Sequence, residues 1–288
     1  MKKRIVTKAV IPVAGLGRRM GPLCNAVPKA MFPLADAAGR TVRPVVHHIC
    51  MTASAGGVDR VALIVSARHT DMVHRYFAAA CEALPDELAV QIDFITQPSP
   101  RGLGDAVLLA ENFVGGEPFL LLLGDHVHVA DPRSRPCAAQ VVDAFAARRG
   151  AAMVGVQVVG AEELPNVGAA RGLPLDETVY RCQEIIEKPD RATAHQRLLT
   201  PGLGEDRFLA HSGIYLFTPE IFDCLRQLTA AYRPAGEELE LTDAQRILLQ
   251  RHAEDYYLVR LAARCFDVGT PAGYAAAQAA MLEAQPGR

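Results

Sequence analysis

The sequence predicts an α/β fold, a Rossmann-like and mostly parallel sheet flanked by helices. Three observations carry this expectation. Short apolar runs of strand length recur along the chain. They are continuous where a half-exposed strand would alternate, as strands buried on both faces are. Segments with helical spacing lie between them, and that alternation is the signature of βαβ units.

The runs Ala9 to Ala14, Val61 to Ser66, Val90 to Thr96, Phe119 to Leu123, Ala152 to Val159 and Phe208 to Phe217 read as buried strands. The intervening Val45 to Ala55, Asp71 to Ala83, Gly104 to Asn112 and Ala138 to Arg149 read as helices. Crossovers in such a sheet are right-handed, and ligands sit outside the carboxyl ends of the strands. From about Asn166 the alternation is less regular. Cys182 to Glu187 reads as a strand, Thr200 to Asp206 as a loop, and Leu241 to His252 and Pro271 to Glu283 as helices. There is no internal repeat and no low-complexity linker, so residues 1–288 are expected to form a single domain.

Composition narrows the function classes. Half the residues are apolar and 22% are charged, as in ordinary globular proteins. The formal net charge of -2 gives no basic excess for nucleic acid. An anionic ligand must therefore be held locally, by loops, helix ends, a few cations or a metal. The seven cysteines form no C-x-x-C pair, which fits a reducing compartment. Met1-Lys2-Lys3-Arg4 precedes an apolar stretch that runs at once into Gly15, Gly17 and Arg18-Arg19, so it reads as the approach to a core strand and not as an export signal. No apolar run is long enough to span a membrane. The expected location is cytoplasmic.

Chemistry is concentrated after the strand runs. Ala14-Gly15-Leu16-Gly17-Arg18-Arg19-Met20 follows the first one. Glycines there permit positive φ and close backbone approach, successive N–H groups can cradle phosphate oxygens, and Arg19 adds forked donors. Met20 stands where a third glycine would complete G-x-G-x-x-G, and no G-K-[ST] follows. The loop is therefore neither a dinucleotide fingerprint nor a Walker A loop, and a plain tight turn is the competing reading. Next, Val27-Pro28-Lys29-Ala30-Met31-Phe32-Pro33-Leu34 brackets Lys29 with two prolines that stiffen its backbone. Asp125 ends the run Phe119 to Leu123, a position that suits either a hard cation or a turn cap. The nearby His126 and His128 invite a transition-metal site, but a strand-end histidine is commonplace. Gln97 offers both a donor and an acceptor at another strand end, where an ordinary polar residue is the competing reading. Glu187 and Lys188 point to opposite faces unless the strand stops there, and Pro189 stops it. Glu238 and Asp243 read as acids at the start of the helix that Leu241 or Thr242 opens.

Together these motifs resemble the signature of the sugar-phosphate nucleotidyltransferases, most of all the bacterial UTP–glucose-1-phosphate uridylyltransferases. A-G-x-G-x-R-M and P-K-x-M-x-P-L are followed in the family's order by Gln97 with Gly102-Leu103-Gly104, by Leu122-Leu123-Gly124-Asp125, and by Glu187-Lys188-Pro189. Gly236 to Asp243 and Phe266-Asp267-Val268-Gly269-Thr270 complete the series. The resemblance implies a glycosyltransferase-A-like fold with a nucleotide-binding part over about 1–160 and a sugar-binding and C-terminal helical part over about 161–288. It implies that UTP and a sugar 1-phosphate are the substrates, that Mg²⁺ is held by Asp125 and Asp267, and that the protein is a homo-oligomer, with the carboxy-terminal helix a candidate interface. By resemblance, Ala14, Gly15, Gln97 and Gly102 contact the base, and Leu16 and Gly17 belong to the nucleotide loop. Arg19 and Lys29 steady the triphosphate. Gly168 lies near ribose and sugar, Glu187 binds sugar hydroxyls, and Lys188 holds the attacking phosphate.

The chain departs from the family at four places: Arg18 stands where threonine is usual, Ala30 where an acid is usual, Asp105 where histidine is usual, and Ala35 to Pro44, with Asp36-Ala37-Ala38-Gly39-Arg40, reads as a longer turn than the family's. The late aspartate motif is shared with thymidylyl- and guanylyltransferases, which remain alternatives. A weakly active paralogue that binds nucleotide sugar and regulates a partner is another. A dehydrogenase built on Gly15 and Gly17, with Asp36 on a ribose, leaves Lys29 without a role.

Overall fold

The structure, a computed structural model, describes residues 6–36, 41–84, 88–131, 133–230 and 238–284. In chain order, β1 (Lys8–Pro12) leads through a 3-10 segment at Arg18–Asn25 to the short strands β2 (Pro33–Ala35) and β3 (Val42–Pro44). Then come α1 (Val45–Ala55), β4 (Arg60–Ser66), α2 (Thr70–Ala83), β5 (Gln91–Gln97), α3 (Leu103–Leu108) and α4 (Glu111–Val114). β6 (Phe119–Leu122), β7 (His126–Ala130), α5 (Cys137–Arg148), β8 (Ala152–Gly160), β9 (Gly168–Pro174) and β10 (Val179–Glu187) follow. The remaining elements are α6 (Arg191–Arg197), β11 (Arg207–Phe217), α7 (Glu220–Ala230), α8 (Leu241–Arg251), β12 (Tyr256–Arg260), β13 (Ala263–Asp267) and α9 (Pro271–Glu283).

Nine strands form one sheet in the order β5-β4-β1-β6-β11-β8-β12-β10-β9. The β5-β4-β1-β6 part is parallel throughout, as expected for its helical crossovers. Beyond it the expectation of parallel strands gives way. β11 runs antiparallel to both β6 and β8, and β9 to β10 is a tight hairpin closed by the Leu175 N–H on the Val179 carbonyl at 2.9 Å. A short turn can only reverse the chain, so no parallel pairing is available there. β11, from the second half of the chain, lies directly beside β6 from the first half.

Strand pleating sorts the core into two layers. Ala9 and Ile11 of β1 face the side covered by Val46 and Ile49 of α1, Phe77 of α2 and Val141 of α5. Val10 faces the other side, with Val107 of α3, Phe222 and Leu225 of α7 and Leu248 of α8. A smaller cluster lies under α6, where Ala194 and Leu198 pack on Phe208 and Ile186. β5 is an edge strand and is only partly buried, contrary to the expectation for Val90 to Thr96; its Asp93 pairs with Arg60 at 3.0 Å. The helix expected over Gly104 to Asn112 is split into α3 and α4, with the Ala110 N–H turned to the Val107 carbonyl at 3.0 Å. Gly236, Glu237 and residues 37–40 of the expected longer turn lie outside the described residues. All seven cysteines are free, and among the described residues no helix is long and apolar enough to cross a membrane.

Phe119 is a central aromatic of the second layer: it is fully buried, stacks on Phe222 at 5.3 Å and tilts against Phe217 at 6.3 Å. Phe119→Ala removes both ring contacts and leaves a cavity, and should cost about 3–5 kcal/mol of unfolding free energy in urea titration. A loss below about 1 kcal/mol, the size of an ordinary substitution, contradicts this packing.

Candidate active site

Pro12 has no N–H, and β1 ends with it; the Val13 N–H makes the last ladder bond, to the Ile64 carbonyl at 2.8 Å. The chain then enters Ala14-Gly15-Leu16-Gly17. Gly17 has φ 62°, and a Cβ there would lie 2.5 Å from Cys24 Sγ, so only glycine lets the Arg18–Asn25 segment fold back over the loop. That segment carries Arg19. Pro28 is extended at φ -63° and ψ 142°, and Lys29 opens a single 3-10 turn after it. The Lys29 stem runs beside Gly15, where a Cβ would be 3.6 Å from Cε.

Asp125 reaches the same place from β6. At Gly124 a Cβ would sit 2.3 Å from the Pro12 carbonyl oxygen, so glycine is what lets the ends of β1 and β6 meet. Lys29 Nζ forms an ion pair with Asp125 Oδ2, and His126 Nδ1 lies 2.9 Å from Asp125 Oδ1. Burial opposes ionisation of Asp125, but the Lys29 charge and the His126 contact outweigh it and hold the carboxyl well below the usual range. Asp267 arrives through strand pairing: β13 is antiparallel to β7 with Asp267 opposite His126, and the Val268 N–H bonds the Asp125 carbonyl at 2.8 Å. Asp267 accepts from Arg19 at 2.9 Å and from the Gly269 N–H at 2.8 Å. Donor atoms of Asp125, His126 and Asp267 all lie within 4.8 Å of one another. Two converging carboxylates on the wall of a cleft fit a hard divalent cation that completes its shell with phosphate oxygens and water.

Gln97 ends β5, and its amide nitrogen donates to Asp105 Oδ2 at 2.7 Å and to the Gly102 carbonyl at 3.4 Å. Gly102 has φ 101°, and a Cβ there would lie 2.6 Å from the Leu239 carbonyl oxygen.

At the far end of the cleft, β10 stops at Glu187, and Lys188 adopts φ 45°. That left-handed turn takes Lys188 out of strand alternation, so both side chains line one cavity. Their charged atoms are 3.4 Å apart, and Thr242 donates to Glu187 Oε2 at 2.7 Å. Gly168 pairs with Glu187 across β9 and β10, and a Cβ there would press on His211 Nδ1 at 3.0 Å.

A cleft of about 520 Å³ collects Ala14, Gly15, Leu16, Gly17, Arg19, Lys29, Gln97, Gly102, Asp125, Gly168, Glu187, Lys188 and Asp267, every site residue expected from the sequence. Some neighbours were not legible in advance. Glu238 lines the cleft ahead of α8, so it is more than an acid at a helix start, while Asp243 stands in the first turn of α8 as expected. Thr242 serves Glu187, as noted above. His211 and Tyr215 of β11 form part of the wall; burial pushes the His211 imidazole down to about 4, so it is neutral at pH 7. The available signal was His211-Ser212-Gly213 interrupting an apolar strand. There Gly213, at φ 77°, leaves room for the His126 ring, which a Cβ would meet at 2.7 Å.

Residues 8–284 match the family model described as nucleotidyl transferase, and the chain belongs to that family. It is an enzyme of the nucleotidyltransferase class. A UTP–glucose-1-phosphate uridylyltransferase of Staphylococcus epidermidis is 30% identical over 290 residues, covering 95% of this chain and 91% of that protein. UTP–glucose-1-phosphate uridylyltransferase YngB of Bacillus subtilis is 31% identical over 289 residues, covering 95% and 88%. Among solved structures, a UDP-glucose pyrophosphorylase complexed with UDP-glucose superposes with TM-score 0.80 at 24% identity, covering 96% of this chain and 98% of the other. A UTP-bound enzyme of the same name from Acinetobacter baumannii gives 0.73 at 24%, covering 95% and 92%. At this identity these two likenesses speak for the fold.

A cation entering between Asp125 and Asp267 must displace Lys29 and Arg19 from them. Lys29→Met should therefore raise the affinity of the nucleotide-free protein for Mn²⁺ about tenfold, read by electron paramagnetic resonance titration. An unchanged or weaker affinity contradicts competition between the lysine and the metal.

Proposed function

We propose that the protein transfers a uridylyl group from UTP to glucose 1-phosphate, giving UDP-glucose and pyrophosphate, with Mg²⁺ as the cation. The observation that carries this reading is the convergence of Asp125 and Asp267 beside the glycine loop, with Arg19 and Lys29 at that end of the cleft and Lys188 at the other. The names of the relatives at about 30% identity support the choice of uracil and glucose.

The chemistry asks little of acid–base groups. The phosphate oxygen of the sugar 1-phosphate is already anionic at neutral pH, so it attacks the α-phosphorus without a general base. The difficulty is bringing two polyanions into line. Lys188 holds the incoming phosphate, and Glu187, oriented by Thr242, accepts from sugar hydroxyls. Arg19 and Lys29 leave their carboxylates to neutralise charge on the triphosphate as pyrophosphate departs. Asp125 and Asp267 would hold the Mg²⁺, which when bound screens the phosphate charges. Residues of about 1–160 form the nucleotide side and residues of about 161–288 the sugar side. Free cysteines are in keeping with a cytoplasmic enzyme.

Pyrophosphate release should be fastest with UTP and glucose 1-phosphate when five nucleoside triphosphates are crossed with glucose, galactose and mannose 1-phosphates. Preference for dTTP or GTP moves the assignment to a sister activity; no release with any pair leaves a binding role. Asp125→Ala should lower kcat by about a thousandfold or more with an unchanged circular dichroism spectrum. Lys188→Ala should act chiefly on the sugar phosphate, raising its KM about tenfold or more; a change confined to the KM of UTP overturns that role.

A further inference from the structure

We infer that Asp105 is a positioning residue that sets base selectivity, by locking the Gln97 amide so that only its carbonyl oxygen faces the nucleotide. This rests on the nucleotide assignment above.

Three features build the lock. First, Gln97 and Asp105 are both buried, at 5% and 7% exposure, and Gln97 Nε2 lies 2.7 Å from Asp105 Oδ2. An ionised carboxylate only accepts hydrogen bonds, so the amide nitrogen must be the group that meets it; the opposite flip would set two acceptors against each other. Second, Arg101 holds the other carboxylate oxygen, Oδ1, at 2.7 Å, so both oxygens of Asp105 are met by donors. Third, the turn between them is fixed. Leu239 accepts from the Gly104 N–H at 2.7 Å and donates to the Arg101 carbonyl at 2.8 Å, and the Gly102 carbonyl takes a longer contact from the same Gln97 nitrogen. Both amide hydrogens are thereby directed into the protein. Oε1 makes no hydrogen bond among the described residues, and Gln97 lines the cleft.

An acceptor held in place selects for a donor opposite it. Uracil carries an N–H between its two carbonyls, whereas cytosine presents a lone pair at the same ring atom. A freely rotating glutamine answers either edge by flipping. Locked by Asp105, it answers only the imide. Histidine, usual in the family at this position, can donate or accept according to tautomer; the aspartate here removes that freedom.

The test compares kcat/KM for UTP and CTP, with glucose 1-phosphate saturating, in the wild type and in Asp105→Asn. Asparagine has nearly the same shape but can donate as well as accept, so it permits the flipped amide. The UTP-to-CTP ratio should fall about tenfold or more, the equivalent of one misplaced hydrogen bond, through a gain for CTP as well as a loss for UTP. A merely structural role would lower both nucleotides together and leave the ratio alone. Asp105→Ala, which also frees the amide, gives the same readout should the asparagine variant not accumulate. A wild type without preference for UTP over CTP overturns the uracil reading itself. A wild type that prefers UTP while the variants keep its ratio overturns only the role of Asp105.

Discussion

The pairing of Asp125 with Lys29 is the interaction on which the rest of the site depends. β6 is wholly apolar up to Leu122 and fully covered, so a carboxylate released at its end would sit half-buried and uncompensated. Lys29 supplies the missing charge, and the two side chains remain only 18% and 15% exposed. The pair also dictates one of the glycines. Gly124 must lack a side chain for the end of β6 to approach Pro12, while the lysine stem passes Gly15 at ordinary van der Waals distance from where a side chain would begin. The prolines beside Lys29 keep that stem from wandering. Glycine loop, proline bracket and strand-end aspartate are thus one construction, although they stand far apart in the sequence.

The second pair, Arg19 with Asp267, repeats the device at lower burial. Both candidate metal carboxylates are therefore engaged by the cations expected to meet phosphate. Such a site stores its charges against each other until a ligand offers each a better partner. Buried groups of one sign left alone would weaken the fold; paired, they cost less and keep their orientation. Nucleotide with its cation can exchange partners with the whole set at once, whereas either component alone meets a site already neutralised.

This division explains what the sequence disclosed. β1, β4 and β6 were legible because burial on both faces leaves long apolar runs, while the edge strand β5 is less buried than its run suggested and the helix after it is split; α1 and α9 begin and end where the spacing said. Asp125, Lys29 and Glu187 were legible because each stands at a strand end or beside proline, where chemistry interrupts packing. The mixed half was harder to read. β9, β12 and β13 carry no long apolar run, and their placement depends on partners distant in sequence, whereas α7 is clearly amphipathic and its signal was present in the sequence. Asp267 could be named from its motif, but its meeting with Asp125 is made by β13 pairing to β7, a long-range contact that local pattern does not encode. His211 was hidden for a similar reason: a histidine within an apolar strand is most often core, and only the fold turns it toward a cleft.

The mixed sheet also explains why the two ends of the cleft differ in kind. In the parallel half β1, β4 and β5 each run through a loop or turn into a helical segment, and β6 runs through the turn at Gly124-Asp125 into β7, so this end presents backbone loops and fixed turns, with Gln97 and Asp125 set at strand ends. Such a surface is rigid and suits a planar base and a chain of phosphates. In the antiparallel half the hairpin of β9 and β10 lays Gly168 directly opposite Glu187, and β11 adds His211 beneath them. Here side chains from neighbouring strands form the surface, and a glycine among them opens the space. A single sheet whose parallel run ends at β11, with β8 and β12 the one parallel pair beyond it among the described residues, thus gives the cleft a turn-lined end and a side-chain-lined end.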